Sequence, residues 1–162
     1  MGTGIEIYNF ICEGLVKSGI NLDKQDICSY SPLTLAYIGD AVYELVIRSM
    51  ILTEGNAPVN KLHKRSSGLV KAETQAKICK MFLEKELLTE DELRIYKRGR
   101  NAQSYTKAKN ASMVDYRMAT GFEALIGYLY LLGKSDRMME LIGLGLTESQ
   151  LQSDSYDKNY VD

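Results

Sequence analysis

Apolar residues fall in helical rhythm along this chain. Within residues 72–87, Ala76, Cys79, Phe82 and Leu83 recur at the spacing that lines one side of an α-helix. Strand-like alternation and Asn-Gly or Asp-Gly hairpin signals are missing, and proline is confined to Pro32 and Pro58. The expected fold is therefore all-α. Residues 5–17 form a first amphipathic helix, stopped by Gly19. Ser31 before Pro32 supplies an N-cap and a proline at the first helical position, opening a long helix to about residue 52 with Gly55 behind it. Further helices are expected over 58–67 and 72–87. Thr89-Glu90-Asp91-Glu92 is a capping box for a short helix ended by Gly99; Ser112-Met113-Val114-Asp115 repeats the pattern before a long helix that stops at Gly133. Ser135 caps a last helix ending near Gly143. Residues 1–145 read as one helical-bundle domain, and 146–162 as a flexible C-terminal tail, because QSDSYDKNYVD after Leu151 lacks an apolar face.

Two long helices break their own pattern. Asp40 stands in LAYIGDAVYEL and Glu123 in GFEALIGYLYLLG, each an acid in an apolar stretch. A buried carboxylate is costly unless a metal ion, a cation or a hydrogen-bond network compensates it. Gly39 and Ala41 flank Asp40, and Gly127 lies one turn beyond Glu123 on the same helical face. Such small surfaces allow two helices to approach closely, which would let the carboxylates converge on one divalent ion. The alternative is that Asp40 pairs with a nearby arginine and Glu123 is a surface residue.

Composition narrows the chemistry. With 162 residues, 45% hydrophobic and 25% charged, the chain suits one domain with a sizeable core. The longest apolar stretch, 122–132, is interrupted by Glu123 and falls well short of the ~20 residues that span a bilayer. MGTGIEIYNFICEGL has neither a basic n-region nor a cleavage site of secretory type. Three cysteines (Cys12, Cys28, Cys79) without CxxC spacing argue against a disulfide framework or redox motif, so a cytoplasmic location is expected. His63 is the one imidazole, which disfavours structural zinc and a Ser/His/Asp triad. Oxygen ligands are left, and they favour magnesium or manganese.

The net charge of −1 conceals an asymmetry. Between Asn56 and Asn110 thirteen Lys and Arg face six acids, a surplus of +7 that leaves −8 on the remainder. A polyanion would be drawn to such a segment. The mixed part from Lys71 to Glu92 reads as a solvated surface. From Arg94 to Lys109, RIYKRGRNAQSYTKAK, six cations occur without an acid, interleaved with polar residues and tyrosine, which points to phosphate contact. The candidate RNA contacts are Lys61, Lys64, Arg65, Lys97, Arg98, Arg100, Asn101, Lys107 and Lys109.

IGDAVYEL with Asp40 and FEALIGYLYL with Glu123 resemble the paired signature of the ribonuclease III catalytic domain. LVKAETQA at 69–76 and RGRNAQS at 98–104 extend the resemblance over about residues 31–141. With no room after it for a double-stranded-RNA-binding domain, the chain looks most like the Mini-ribonuclease III subfamily. The resemblance implies an all-helical homodimer that cleaves double-stranded RNA with magnesium held by Asp40 and Glu123, leaving 5′-phosphate and 3′-hydroxyl ends. It also implies maturation of 23S ribosomal RNA precursor, with ribosomal proteins as candidate partners. Departures accompany it: Leu33, Ala36 and Thr120 stand where larger members have acids, and no acid occurs between Glu54 and Glu73. Only Asp40 and Glu123 match by motif; Glu44 and Asp115 are candidate helpers.

Other classes explain less. A helical module that binds structured RNA without cutting it accounts for the basic strip but not for carboxylates that repel phosphate, and a protein-interaction domain accounts for neither. His63 reads as a surface or RNA-contact group. Tyr37, Tyr43, Tyr128 and Tyr130 read as core or dimer packing, and Met113, Met118, Met138 and Met139 as core filling. The apolar surplus on 33–52 and 113–132 supports a dimer whose flank would include Val42 and Tyr43.

Overall fold

Ser31 and Pro32 open the helix that carries Asp40, as their chemistry predicts: the Ser31 hydroxyl accepts the Thr34 N–H at 3.2 Å. In this computed structural model, which describes residues 6–103 and 112–157, the order is α1 Ile7–Lys17, a 3-10 turn Ile27–Ser29, α2 Pro32–Leu52, α3 Val59–Val70, α4 Ala72–Glu84, α5 Glu90–Asn101, α6 Met113–Leu131 and α7 Ser135–Asp157. No strand occurs among the described residues. α6 is the hub, packing against α1, α2, α4, α5 and α7. From Met118 to Gly127 it is buried at every position except Glu123. Its Phe122 ring meets Tyr43 of α2 edge-on at 5.0 Å and Phe82 of α4 at 6.4 Å.

Glycine decides how close the central helices come. A Cβ on Gly39 would lie 1.8 Å from the Glu123 carbonyl oxygen and 2.8 Å from the Gly127 nitrogen. One on Gly127 would lie 2.0 Å from the Leu35 carbonyl oxygen. α2 and α6 therefore cross backbone to backbone, with Asp40 immediately beyond the contact. Ala41 is exposed and takes no part in it. A second close crossing joins α5 to α6, where a Cβ on Gly99 would lie 2.9 Å from the Gly121 Cα and 2.8 Å from the Ala124 Cβ.

Several boundaries differ from expectation. α5 passes through Gly99 to Asn101, because that glycine makes a close crossing and not a stop. α7 does not end near Gly143. Its buried stripe, Met138, Leu141, Ile142 and Leu146, carries the helix through both glycines, and 146–157, expected as a tail, is helical. α4 ends at Glu84 and not residue 87; Glu86 adopts φ +50° and the Leu87 N–H returns to the Phe82 carbonyl at 3.0 Å. α3 continues to Val70, its Leu69 carbonyl accepting the Tyr43 hydroxyl at 3.0 Å. Thr89 and Glu92 make the full capping box, while Ser112 and Asp115 make only its first half. Tyr43, Tyr130, Met118 and Met138 are core residues; Tyr37, Met113 and Met139 are exposed.

The glycines yield a paired stability test. Gly39→Ala forces the α2–α6 crossing apart, at about 3 kcal/mol or more by the standard of overpacked cores. The melting temperature should fall by roughly 6–12 °C, if the variant folds at all. Gly143→Ala has no neighbouring atom within 4 Å of the added methyl. It should gain up to ~1 kcal/mol of helix propensity and melt about 2–4 °C higher. Equal melting temperatures for the two variants would contradict the assigned packing.

Candidate functional site

The crossing brings together an exposed acid and a half-buried one. Asp40 projects from α2 at the solvent-exposed edge, and Glu123 lies half-buried on α6. Burial, then the negative charge of Asp40, pushes the Glu123 carboxyl from its ordinary 4.5 up to about 8. Burial also raises Asp40, with the Glu44 charge adding to it. No lysine or arginine among the described residues forms an ion pair with either. Among the described residues, the ion-paired alternative for Asp40 does not form. Two acids whose carboxyls are both raised, Glu123 in part by the charge of Asp40, and that have no cationic partner among the described residues fit the binding of a hard divalent cation.

The rest of the surroundings is poor in acid. Glu44, one turn after Asp40, is held by Arg48 through contacts of 2.8 and 3.2 Å. Ala36 is buried, and the Thr120 hydroxyl bonds to the Tyr116 carbonyl at 3.0 Å. Asp115, eight residues before Glu123, is about 12 Å away along the helix. No cluster of three or more potential ligands occurs among the described residues. Among the described residues, Asp40 and Glu123 are the acids whose charges meet at the α2–α6 crossing.

One polar neighbour lay outside the sequence reading. Gln75 of α4 is fully buried, its amide donating to the Val70 carbonyl at 3.2 Å, and its presence lowers the Glu123 carboxyl slightly against the larger effect of burial. The signal was present: Gln75 shares the buried stripe of Cys79 and Phe82, so it interrupts an apolar face much as the two acids do.

This geometry sits inside a domain of known kind. The family profile of the Ribonuclease III domain matches residues 33–134, more than half of the chain. The chain belongs to the ribonuclease III family. It is 46% identical to the Mini-ribonuclease 3 of Clostridium tetani over 143 residues, covering 88% of this chain and 93% of that one. It is also 46% identical to the Mini-ribonuclease 3 of a Thermoanaerobacter species over 133 residues, covering 82% and 92%. A crystal structure of a Fusobacterium nucleatum protein superposes with a TM-score of 0.68 at 35% identity, covering 75% of this chain and 97% of that one.

Among the described residues, the candidate cations lie on α3 and α5 of the ribonuclease III domain. Lys97, Arg98 and Asn101 of α5 line a surface recess of about 340 Å³ together with Arg94. Arg100 lies over the Tyr96 ring at 5.8 Å and donates to the Asn101 side chain at 3.2 Å. Lys107 and Lys109 fall outside the described residues. Lys61, Lys64 and Arg65 are exposed on α3, and Arg65 is ion-paired with Glu54. His63 lines a groove with Arg48, Ile51, Leu52, Val59, Leu62 and Ser66, and neither Asp40 nor Glu123 is among its lining residues. No described helix is long and apolar enough to cross a membrane.

The raised Glu123 carboxyl sets a pH dependence. Between about pH 5 and 8 the folded chain holds a proton on Glu123 that the unfolded chain has released, so stability falls as pH rises through that window. In chelator, the wild-type melting temperature should decline across the window relative to Glu123→Gln, and magnesium should flatten the decline. Parallel curves for the two proteins would contradict the assignment.

Proposed function

We propose that this ribonuclease III-family endoribonuclease hydrolyses double-stranded RNA with a magnesium ion held by Asp40 and Glu123, manganese being able to substitute. The observation that carries the reading is the backbone-close crossing of α2 and α6, which sets two acids together without a cationic side chain among the described residues. A divalent ion held there would supply an activated water and offset negative charge on the reacting phosphate. Asp40 and Glu123 orient that ion and share its charge. Lys97, Arg98 and Asn101 bind phosphate oxygens of the duplex, and Lys61, Lys64 and Arg65 extend the contact along α3. Arg100, Lys107 and Lys109 belong to the same basic strip. A-form RNA offers a shallow minor groove and regularly spaced phosphates, so recognition rests on shape and backbone. The products carry 5′-phosphate and 3′-hydroxyl ends, and the natural substrate is a duplex in 23S ribosomal RNA precursor, with ribosomal proteins as candidate partners. The reaction takes place in the cytoplasm.

Cutting two strands calls for two sites, and the surface of α2 supports a homodimer. Leu33, Tyr37 and Leu45 are 38%, 81% and 61% exposed along one side of that helix, with Met113 and Val114 exposed at the start of α6. Val42 and Tyr43 do not belong to this flank; they are 8% and 0% exposed and serve the protomer's own core. A charge at either would unfold the chain rather than part a dimer.

Asp40→Asn and Glu123→Gln should each abolish cleavage of a long duplex in saturating magnesium while retaining its binding. Neutralising Lys97 and Arg98 should lower the log-log salt slope of binding by roughly one unit per lost contact. Near wild-type cutting by either acid variant would overturn the metal assignment; an unchanged salt slope would overturn the α5 contact.

Tyr37→Glu combined with Leu45→Glu should give a folded monomer in sedimentation velocity that nicks one strand at a time, whereas Tyr43→Glu should fail to fold. A double variant that stays dimeric would contradict the proposed flank.

A further inference from the structure

Arg100 differs from its basic neighbours on α5 in how its side chain is held. Lys97 and Arg98 are exposed, whereas Arg100 is half-buried. Its guanidinium lies over the ring of Tyr96, one turn earlier on the same helix, at 5.8 Å from the centroid, within reach of a cation–π contact. The Nε atom donates to Asn101 Oδ1 at 3.2 Å. No acid among the described residues forms an ion pair with it. With its face on the ring and Nε engaged, the guanidinium keeps the donors of its terminal amino groups, which suit the oxygens of a phosphate.

Tyr96 is itself anchored on the helix that carries Glu123. It is 1% exposed, and Gly121 of α6 makes room for it: a Cβ there would lie 2.8 Å from two carbons of the ring and 2.8 Å from the Tyr96 carbonyl oxygen. Gly121 stands two residues before Glu123. Arg100 in turn adjoins Gly99, where a Cβ would lie 2.8 Å from the Cβ of Ala124, the residue after Glu123. The Tyr96 hydroxyl is buried with no hydrogen-bond partner among the described residues, so the ring and not the phenol oxygen makes these contacts. Resting on the reading of α5 as an RNA contact, we propose that Tyr96 is a positioning residue for the RNA backbone: its ring, seated on Gly121, holds the Arg100 guanidinium ready for a phosphate of the duplex, in fixed register with Glu123. An arginine ordered before the duplex arrives loses less side-chain freedom on binding than one that the duplex must immobilise. A lysine there would keep the charge without the planar face that stacks on the ring.

The test measures binding of a long RNA duplex by fluorescence anisotropy in chelator, which separates binding from metal-dependent cutting. Tyr96→Phe, Tyr96→Leu, Arg100→Lys, Arg100→Ala and the double variant of Tyr96→Leu with Arg100→Ala are compared with wild type, each first checked for its fold by circular dichroism. Tyr96→Phe should bind as wild type does. Tyr96→Leu and Arg100→Lys should each bind about 2–10-fold more weakly with the salt slope kept, because the charge remains. Arg100→Ala should lose affinity and roughly one unit of slope, and adding Tyr96→Leu to it should cost nothing further. A further loss in the double variant by the full Tyr96→Leu factor, as a merely structural role would give, overturns the positioning role and leaves Arg100 as a phosphate contact. Equal losses in Tyr96→Phe and Tyr96→Leu do the same. Should Tyr96→Leu fail to fold, Arg100→Lys decides, and wild-type affinity there overturns the role. Wild-type affinity and slope in Arg100→Ala overturn the contact and the role together.

Discussion

Contact between the backbones of α2 and α6 is the constraint on which the site depends. With Gly39 against the Glu123 carbonyl and Gly127 against that of Leu35, no side chain can separate the helices at this level. The next residue on α2 is Asp40, and the residue under contact on α6 is Glu123, so the packing that buries Tyr43 and Phe122 also fixes where two charges stand. The core and the candidate site share one origin.

That arrangement creates an electrostatic tension. Glu123 is lifted to about 8 by burial and by Asp40, and the described residues offer no arginine or lysine to relieve it. A structural ion pair of the kind seen between Arg137 and Glu92, with contacts of 2.9 and 3.0 Å, shows how this same chain satisfies a buried acid when stability is the purpose. Asp40 and Glu123 are left without such a partner. The contrast within one molecule favours a cation from outside over a role in folding.

What was legible in the sequence follows from the range of each signal. Caps at Ser31 and Thr89 are local chemistry, and both form where the residues predict. The two acids stood out because each interrupts an apolar stretch, but their convergence across eighty-three positions depends on packing that neither motif contains. Glycine was the ambiguous letter. Gly133 ends a helix with φ +71°, Gly99 makes a helix crossing and Gly143 does neither; only the neighbours of each distinguish the cases. The same limit explains Val42 and Tyr43, whose apolar character said that they were buried without saying against what. Gln75 was hidden by the charged residues around it on α4, although its place on the buried stripe marked it.

The central claim is that Asp40 and Glu123 hold one divalent cation between them. A crystal of the protein grown with manganese, measured for anomalous scattering, tests it directly. The account predicts a difference peak about 2 Å from a carboxylate oxygen of each residue. A manganese-saturated crystal with no peak there, or with a peak engaging only one of the two carboxylates, would contradict it.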